Sequence, residues 1–230
     1  MDTAPGNGSV NLARAGKALF NLVIPFIVLG IYIFILYVSL PEAVYISLLG
    51  LMFIYFIPPA GKESVIPIGI SLGMPWWIIG TSVAMMDIIS TLFMILNFDL
   101  ALKIPVLGDR WMKSFMEHGG EFFSKHRWIE RFSSFGLAVF VMIPMQGTGG
   151  VATPIVGKMI GIPGKNVFLA VVAGSLSGCY IIALGSEYIK DLFLIDIRYG
   201  IAAVAVTAVV ILTVYYAWTR KKKRLRERAL

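Results

Sequence analysis

Four charged residues lie within or beside the long apolar stretches of this chain, at positions suited to proton or ion chemistry. They are Lys62, Glu63, Asp87 and Lys158. Ionisable side chains in apolar stretches are costly, and they commonly relay protons, bind a charged ligand or pair with one another. We predict that Glu63 and Asp87 couple a proton, and that Lys62 and Lys158 bind an anionic group.

Each of these residues also has a simpler interpretation. Lys62 and Glu63 are adjacent and could neutralise each other at an interface. Asp87 could accept a hydrogen bond from a nearby backbone, and the long Lys158 side chain could reach water at the membrane surface. The sequence leaves both interpretations open for every one of them.

A glycine-rich segment, 143–163, adds an uncharged candidate site. Its sequence, IPMQGTGGVATPIVGKMIGIP, contains Gln146, Gly147, Thr148, Gly149 and Gly150. Glycines leave backbone amides uncovered, and amides near helix N-termini bind phosphate or carboxylate groups. We therefore predict that these five residues, together with the two lysines, bind the substrate. Close helix packing through small residues is the alternative.

The composition indicates a membrane protein. Hydrophobic residues make up 58% of the 230 residues and charged residues only 14%, whereas soluble domains carry about 25% charged residues. A helix needs roughly 20 apolar residues to cross a bilayer. The uncharged runs of about that length are 18–41, 43–61, 64–86, 132–157, 166–186 and 199–219.

Nothing in the sequence indicates an enzyme. The single cysteine, Cys179, leaves no second thiol for an intramolecular disulfide or a thiolate metal cluster. His118 and His126 lack the spacing of metal ligands, and no catalytic motif occurs. We expect no catalytic residue, no bound metal and no cofactor.

The charge distribution sets the predicted topology. The basic segment 220–228 follows the last apolar run, which is typical of a cytoplasmic end that contacts anionic lipid head groups. Six full spans would place the basic linker 99–131 outside, against the positive-inside bias. We predict a multi-pass protein of the cell membrane with both termini in the cytoplasm. Its partners are membrane lipids and not nucleic acid, and a homo-oligomer is compatible with the sequence.

An internal repeat changes the number of spans. Segments 57–75 and 143–163 share an initial Ile-Pro, a Pro-Ile step and a final Gly-x-Pro, at an offset of 86 to 88 residues. Proline removes a backbone amide and breaks helices, so we predict that each segment contains a re-entrant helical hairpin. The predicted breaks are Pro58, Pro59, Pro67, Pro144 and Pro154.

The predicted fold is an all-α polytopic membrane protein with about four transmembrane helices and two inverted re-entrant helical hairpins. The predicted spans are 18–40, 76–98, 165–186 and 199–219. The predicted segments are a cytoplasmic N-terminus (1–17), a first repeat (18–98), an amphipathic cytoplasmic linker (99–131), a second repeat (132–219) and a basic cytoplasmic tail (220–230). Inverted repeats place the binding site of many transporters near the middle of the membrane.

Two motifs in these repeats resemble a known family. The stretch KESVIPIGISLGMP (62–75) is similar to the first motif of the small multidrug export proteins. Arg131-Phe, FGLAVF (135–140) and the following IP and GTG are similar to the second. That family is similar to the wider DedA/VTT superfamily, which covers about residues 40–190 here.

The resemblance implies two inverted hairpins and translocation of a lipid carrier, such as polyprenyl phosphate or a phospholipid, coupled to protons in some members. It assigns Glu63 as the acidic residue of the first motif and Pro144 as the proline of the second. Members of the superfamily usually carry arginines around that proline, whereas this chain has Val141 and Gly147 there. Lys62 or Lys158 could replace the missing positive charge.

We therefore predict a transporter or flippase for an anionic amphiphile, with proton coupling as an additional feature. Two other functions stay open. Asp87 with the nearby Trp76 and Trp77 would suit an exporter of small cationic drugs. A membrane scaffold without transport activity would make no use of polar hairpin tips.

Labelling of single cysteines tests this topology. A membrane-impermeant thiol reagent should label cysteines placed at positions 41 and 192 in intact cells, because both positions are predicted outside. A cysteine at position 120 should react only after the membrane is opened. Labelling of position 120 in intact cells would restore six spans and remove the inverted repeat.

Overall fold

The computed structural model describes residues 7–57, 60–98, 133–143, 149–202, 204–210 and 213. The elements are α1 (Asn7–Ser39), α2 (Glu42–Ile54), α3 (Lys62–Ser71), α4 (Trp76–Leu96), α5 (Ser133–Met142), α6 (Ala152–Met159) and α7 (Gly164–Ile195). Residues 197–202 and 204–210 are helical as well. The prediction of an all-α chain is confirmed for these described residues.

Three of the described helices are long and apolar enough to cross a membrane. They are Ala18–Ser39 within α1, Trp76–Leu96 and Gly164–Ile195. These positions match the first three predicted spans, except that α7 continues to Ile195, beyond the predicted end at 186. The fourth predicted span, 199–219, lies partly outside the described residues.

Helix α4 is the most enclosed of the three spans. In its most apolar window 61% of the residues are buried, against 11% in α1 and 44% in α7. Hydroxyl groups of α4 reach both other spans. Ser82 Oγ lies 2.9 Å from Tyr32 Oη of α1, and Thr81 Oγ1 lies 2.9 Å from Tyr180 Oη of α7. A charged residue midway along α4 must therefore find its partners within the protein.

A proline in α1 is compensated by a side chain of α4. Pro25 has no amide, so the carbonyl of Asn21 lacks its usual helical donor. The Nδ2 atom of Asn97 donates to that carbonyl at 2.9 Å. Asn97 follows the last residue of α4 and is only 8% exposed. Since lipid offers no donor, this bond both satisfies the break in α1 and fixes α1 against α4.

Each predicted hairpin consists of two short helices that contact each other. Helix α2 ends at Ile54 and α3 begins at Lys62, whereas α5 ends at Met142 and α6 begins at Ala152. Lys62 and Glu63 form the first turn of the returning helix α3, so they follow the break and do not lie in it.

Two of the predicted proline breaks are corrected by the structure. Helix α3 continues through Pro67, which removes one helical hydrogen bond without ending the helix. Pro154 lies in the first turn of α6, where amides have no partner within the helix and proline is tolerated. Pro58, Pro59 and Pro144 lie outside the described residues.

The local structure that follows the two breaks is the same at an offset of 88 residues. Gly73 ends α3 with a φ of +85°, and Gly161 ends α6 with a φ of +83°. In each case the next amide turns back to a glycine carbonyl, from Met74 to Gly69 at 3.1 Å and from Ile162 to Gly157 at 2.8 Å. Positive φ angles favour glycine because a Cβ would clash.

The same correspondence extends to the packing of the next helix. A methyl group at Gly69 would overlap the side chain of Ile79 in α4, and one at Gly157 would overlap Val167 in α7. Ile79 and Val167 are again 88 residues apart. In both segments a short helix therefore turns at a glycine and packs back on the span that follows it.

Small residues let α7 approach α5 closely. A Cβ at Gly174 would overlap the carbonyl of Ala138, and one at Gly178 would lie 3.0 Å from the Cα of Met142. This spacing of two glycines four residues apart is typical of tight helix pairs in membranes. Cys179, next to Gly178, is buried in the hydrophobic cluster formed with α2, α3 and α4.

The chain divides into two compact units, Met1–Ala183 and Leu184–Leu230. In the second unit the Oδ1 atom of Asp196 accepts the amide hydrogen of Arg198 at 2.8 Å, which caps the helical residues 197–202. The predicted linker 99–131, with His118 and His126, and the basic tail 220–230 lie outside the described residues.

The pairing of Asn97 with the break in α1 makes a quantitative prediction. Asn97→Leu should lower the free energy of unfolding by about 1–2 kcal/mol, because the part-buried Asn21 carbonyl is left without a donor. In a Pro25→Ala background the loss should be smaller, since residue 25 then supplies its own amide. Reversible unfolding of the four proteins in mixed micelles measures this coupling. Equal losses in both backgrounds would contradict it.

Candidate functional site

Asp87 is the residue on which three other elements converge. It lies midway along α4 and is 1% exposed. Tyr55 Oη donates to its Oδ1 at 2.6 Å, and the amide of Gly150 donates to the same atom at 3.0 Å. Ser175 Oγ donates to Oδ2 at 2.7 Å. Tyr55 lies at the end of α2, Gly150 lies two residues before α6 begins, and Ser175 lies in α7.

Lys62 is the fourth neighbour of this carboxylate. It is the first residue of α3 and is 2% exposed. Its Nζ lies 3.8 Å from Asp87 Oδ2 and donates to the carbonyl oxygen of Val141 at 2.5 Å. Val141 lies in the last turn of α5, where carbonyls have no donor within the helix. We call Lys62, Asp87 and their partners Tyr55, Val141, Gly150 and Ser175 the Lys62–Asp87 centre.

The charges of Lys62 and Asp87 are opposite in sign to the partial charges of the helix ends that they contact, the end of α5 and the start of α6. The carbonyl end of a helix carries partial negative charge, and its amide end carries partial positive charge. The ammonium of Lys62 meets the carbonyl end of α5, while the carboxylate of Asp87 meets an amide just before α6. One ion pair therefore bonds a backbone group on each side of the second break.

Energetics explain why the carboxylate needs its neutral donors as well as the lysine. Removal of each ion from water costs several kcal/mol even after relaxation. Opposite charges about 4 Å apart recover about 4 kcal/mol at an effective dielectric constant of roughly 20. Each hydrogen bond to a charged group adds about 1.5–3 kcal/mol. The three donors to Asp87 together thus contribute at least as much as the ion pair.

The glycines of the second break are required by the closeness of Asp87. A methyl group at Gly149 would overlap the Asp87 carboxylate, and one at Gly150 would overlap Ser90 Oγ and the Asp87 backbone. The carbonyl of Gly150 in turn accepts Thr91 Oγ1 at 3.3 Å. The sequence predicted that the uncovered amides of this segment bind an anionic substrate. In the structure the amide of Gly150 binds the Asp87 carboxylate, which is the simpler of the two roles considered for Asp87.

The other predicted site residues lie apart from this centre or outside the described residues. Glu63 is exposed, with its carboxylate against Gly61. Lys158 is also exposed, and its Nζ lies 3.7 Å from the ring centroid of Phe98, a cation–π contact. Gln146, Gly147 and Thr148 are not among the described residues. The structure therefore joins Lys62, Asp87, Gly149 and Gly150, whereas Glu63 is exposed next to Lys62 and Lys158 contacts Phe98.

Sequence reasoning missed two members of the centre, Tyr55 and Ser175. Tyr55 directly follows the last residue of α2, and its hydroxyl is the only polar side-chain group between Ser47 and Lys62. Ser175 lies 88 residues after Asp87, at the equivalent position of the second repeat. Had the alignment of the two repeated segments been continued into the helices that follow them, it would have paired Ser175 with Asp87.

A cycle of charge-removing variants tests the energetic balance of the centre. Lys62→Met and Asp87→Asn should each lower the free energy of unfolding by about 3–5 kcal/mol, because each leaves one buried charge without its partner. The double variant should be more stable than either single variant. Reversible unfolding in mixed micelles provides the measurement. A double variant with the summed loss of both would show that the two charges do not interact.

Comparison with known proteins places the chain in a family. No curated protein and no solved structure matches it. One family model matches residues 63–181, a region that contains Asp87, both glycines and Ser175. Because that match covers more than half of the 230 residues, the chain belongs to the family described as "Putative small multi-drug export protein".

Proposed function

We propose that this protein exports small molecules across a membrane in exchange for protons, with the Lys62–Asp87 centre as the coupling site. One observation carries the proposal. Lys62 and Asp87, 2% and 1% exposed, lie 3.8 Å apart where α4 meets the helix pairs α2–α3 and α5–α6. Ionisable residues buried among apolar helices serve a function far more often than stability, since a buried ion pair adds little net stability.

The family description supports export as the direction and small molecules as the cargo. The apolar helices support a membrane location, because three of them have the length and composition of membrane spans. A buried pair that can hold or release one proton offers a means to link a pH gradient to the movement of a charged cargo.

We further propose that the pairs α2–α3 and α5–α6 are re-entrant hairpins of two inverted repeats. In support, Asp87 and Ser175 occupy equivalent positions and hydrogen-bond to each other at 2.7 Å. Equivalent residues contact each other when they lie near a two-fold axis. A coupling site on such an axis is equally close to both faces of the membrane, as alternating access requires.

A second candidate is translocation of an anionic amphiphile, such as a phospholipid. The observation in its favour is the set of donors around Asp87, which holds an oxyanion. A phosphate or carboxylate head group presents the same chemistry to Tyr55, Ser175 and the amide of Gly150. The third candidate, a scaffold without transport, predicts that loss of both buried charges has no effect beyond stability.

Reconstitution into liposomes separates these functions. Vesicles with a pH gradient receive a cationic dye, a labelled anionic lipid or a labelled zwitterionic lipid, each in a separate assay. We expect gradient-driven movement of the dye that falls to background in Lys62→Met/Asp87→Asn, a variant without either buried charge. Glu42→Gln, an exposed acid at the start of α2, is the control and should keep full activity.

Glu63→Gln is assayed in the same way, because Glu63 is the second acid predicted to couple protons. Movement of the anionic lipid alone would favour the second candidate. Gradient-driven movement that survives in the double variant would remove the centre from the mechanism, and a lack of movement for all three cargoes would favour a scaffold.

A further inference from the structure

We propose that Lys62, not Asp87, is the residue of the centre that gives up the proton, and that a protonated amine of the cargo takes the place of its ammonium group. This inference rests on the proposed function, proton-coupled export, and adds the substrate class and the exchanging residue. It follows from how differently the two charges of the centre are held.

Asp87 is held as a fixed anion. Three uncharged donors, Tyr55 Oη, Ser175 Oγ and the amide of Gly150, point their hydrogens at its two oxygens within 2.6–3.0 Å. Donors that face a carboxylate favour its ionised form, and each of them would lose part of its bond if the acid took up a proton. Protonation of Asp87 is therefore opposed from α2, from the start of α6 and from α7 together.

Lys62 is held less firmly. Its described hydrogen bond is to the carbonyl of Val141, and the 3.8 Å to Asp87 Oδ2 is longer than a hydrogen bond. The side chain is 2% exposed, so its partners come from the protein. An uncharged amine would still have an N–H donor for the Val141 carbonyl. Loss of the Lys62 charge therefore disrupts fewer contacts than loss of the Asp87 charge, which has three donors.

Charge balance then fixes the sign of the cargo. When the Lys62 ammonium releases a proton to water, it becomes a neutral amine, and the buried carboxylate of Asp87 is left without a counter-ion. A cation that enters at that moment restores neutrality. One protonated amine bound and one proton released leave the net charge of the centre unchanged. The opposite exchange, with Asp87 protonated and an anion beside Lys62, has to act against the three donors.

The acceptors in the centre suit an ammonium better than a metal ion. Lys62 Nζ is placed between two oxygens, one from Asp87 and one from the carbonyl of Val141. Calcium and magnesium require six or more oxygen ligands. A protonated primary or secondary amine can donate to both oxygens as Lys62 does, whereas a quaternary ammonium has no N–H to donate.

The other titratable groups near Lys62 in the described residues belong to three elements. Tyr55 lies at the end of α2 and donates to Asp87, and Glu63 is the residue next to Lys62 in α3. Cys179 of α7 is buried, with its Sγ 3.8 Å from Ser175 Oγ. The backbone contacts from α5 and from the start of α6 carry no proton that titrates. A variant that fixes the charge at position 62 separates Lys62 from all these groups.

Binding to the purified full-length protein tests the inference without transport. Phenethylamine is titrated calorimetrically between pH 6 and pH 8 in buffers of different ionisation enthalpy, which counts the protons released. For the wild type we expect one proton per amine bound and an affinity that rises about tenfold per pH unit. The trimethylammonium analogue should bind more weakly, and 3-phenylpropionate and sodium ions should not compete.

Two variants at one position give opposite expectations. Lys62→Met leaves Asp87 open, so it should bind phenethylamine without proton release and more than tenfold more tightly than the wild type at pH 6. Lys62→Arg keeps a permanent cation, since arginine does not lose its proton. It should remain folded and bind no amine at any pH between 6 and 8.

Several results would overturn the inference. For the wild type these are amine binding without proton release, no amine binding at millimolar concentration, and binding of 3-phenylpropionate with proton uptake. For the variants they are proton release that persists in Lys62→Met and amine binding that is retained in Lys62→Arg. If Lys62→Met does not fold, the proton count of the wild type and Lys62→Arg decide. Proton-linked amine binding without export in liposomes would reject the proposed function and leave this inference intact.

Discussion

The structure depends on how one buried ion pair satisfies helix ends that lipid cannot satisfy. Inside a membrane the last carbonyls and first amides of a broken helix have no water to bond, and each costs several kcal/mol if left alone. Here Lys62 donates to the last turn of α5, and Asp87 accepts the amide just before α6. The pair thus bonds one backbone group on each side of the break, and each of its charges gains a backbone partner of the opposite partial charge.

The position of α4 follows from the same constraint. A helix that carries Asp87 cannot face lipid, and α4 is the span with the largest buried share. Its hydroxyls bond α1 and α7, and Asn97 at its end supplies the donor that Pro25 removes from α1. The glycines of α7 bring the backbones of α5 and α7 together. Ser175, between Gly174 and Gly178, donates to Asp87 of α4, so α7 contacts both α4 and α5 at this level.

The sequence is sufficient to predict the apolar spans, the two interruptions and the burial of Asp87 within the protein, because hydropathy and the exclusion of charge from lipid act on each segment by itself. It is not sufficient for contacts between segments. Lys62 and Val141 are far apart in the chain, and no local pattern shows that a lysine of one break meets a carbonyl of the other. Proline was also a poor guide to the exact break, since Pro67 and Pro154 lie where the helix tolerates them. Tyr55 and Ser175 became recognisable only through the neighbours of Asp87.

The choice of lysine as the buried cation is itself informative. Arginine would hold the Val141 carbonyl and the Asp87 carboxylate with more donors and a permanent charge. It would make the centre a fixed ion pair, suited to stability alone. Lysine has one nitrogen, and the neutral amine it becomes on losing a proton still bonds the same carbonyl. In this chain the cation of the centre comes from Lys62 at the start of α3. An anion with three donors beside a cation on a single nitrogen is the arrangement that the proposed exchange needs, in which the charge of a cargo amine replaces that of Lys62.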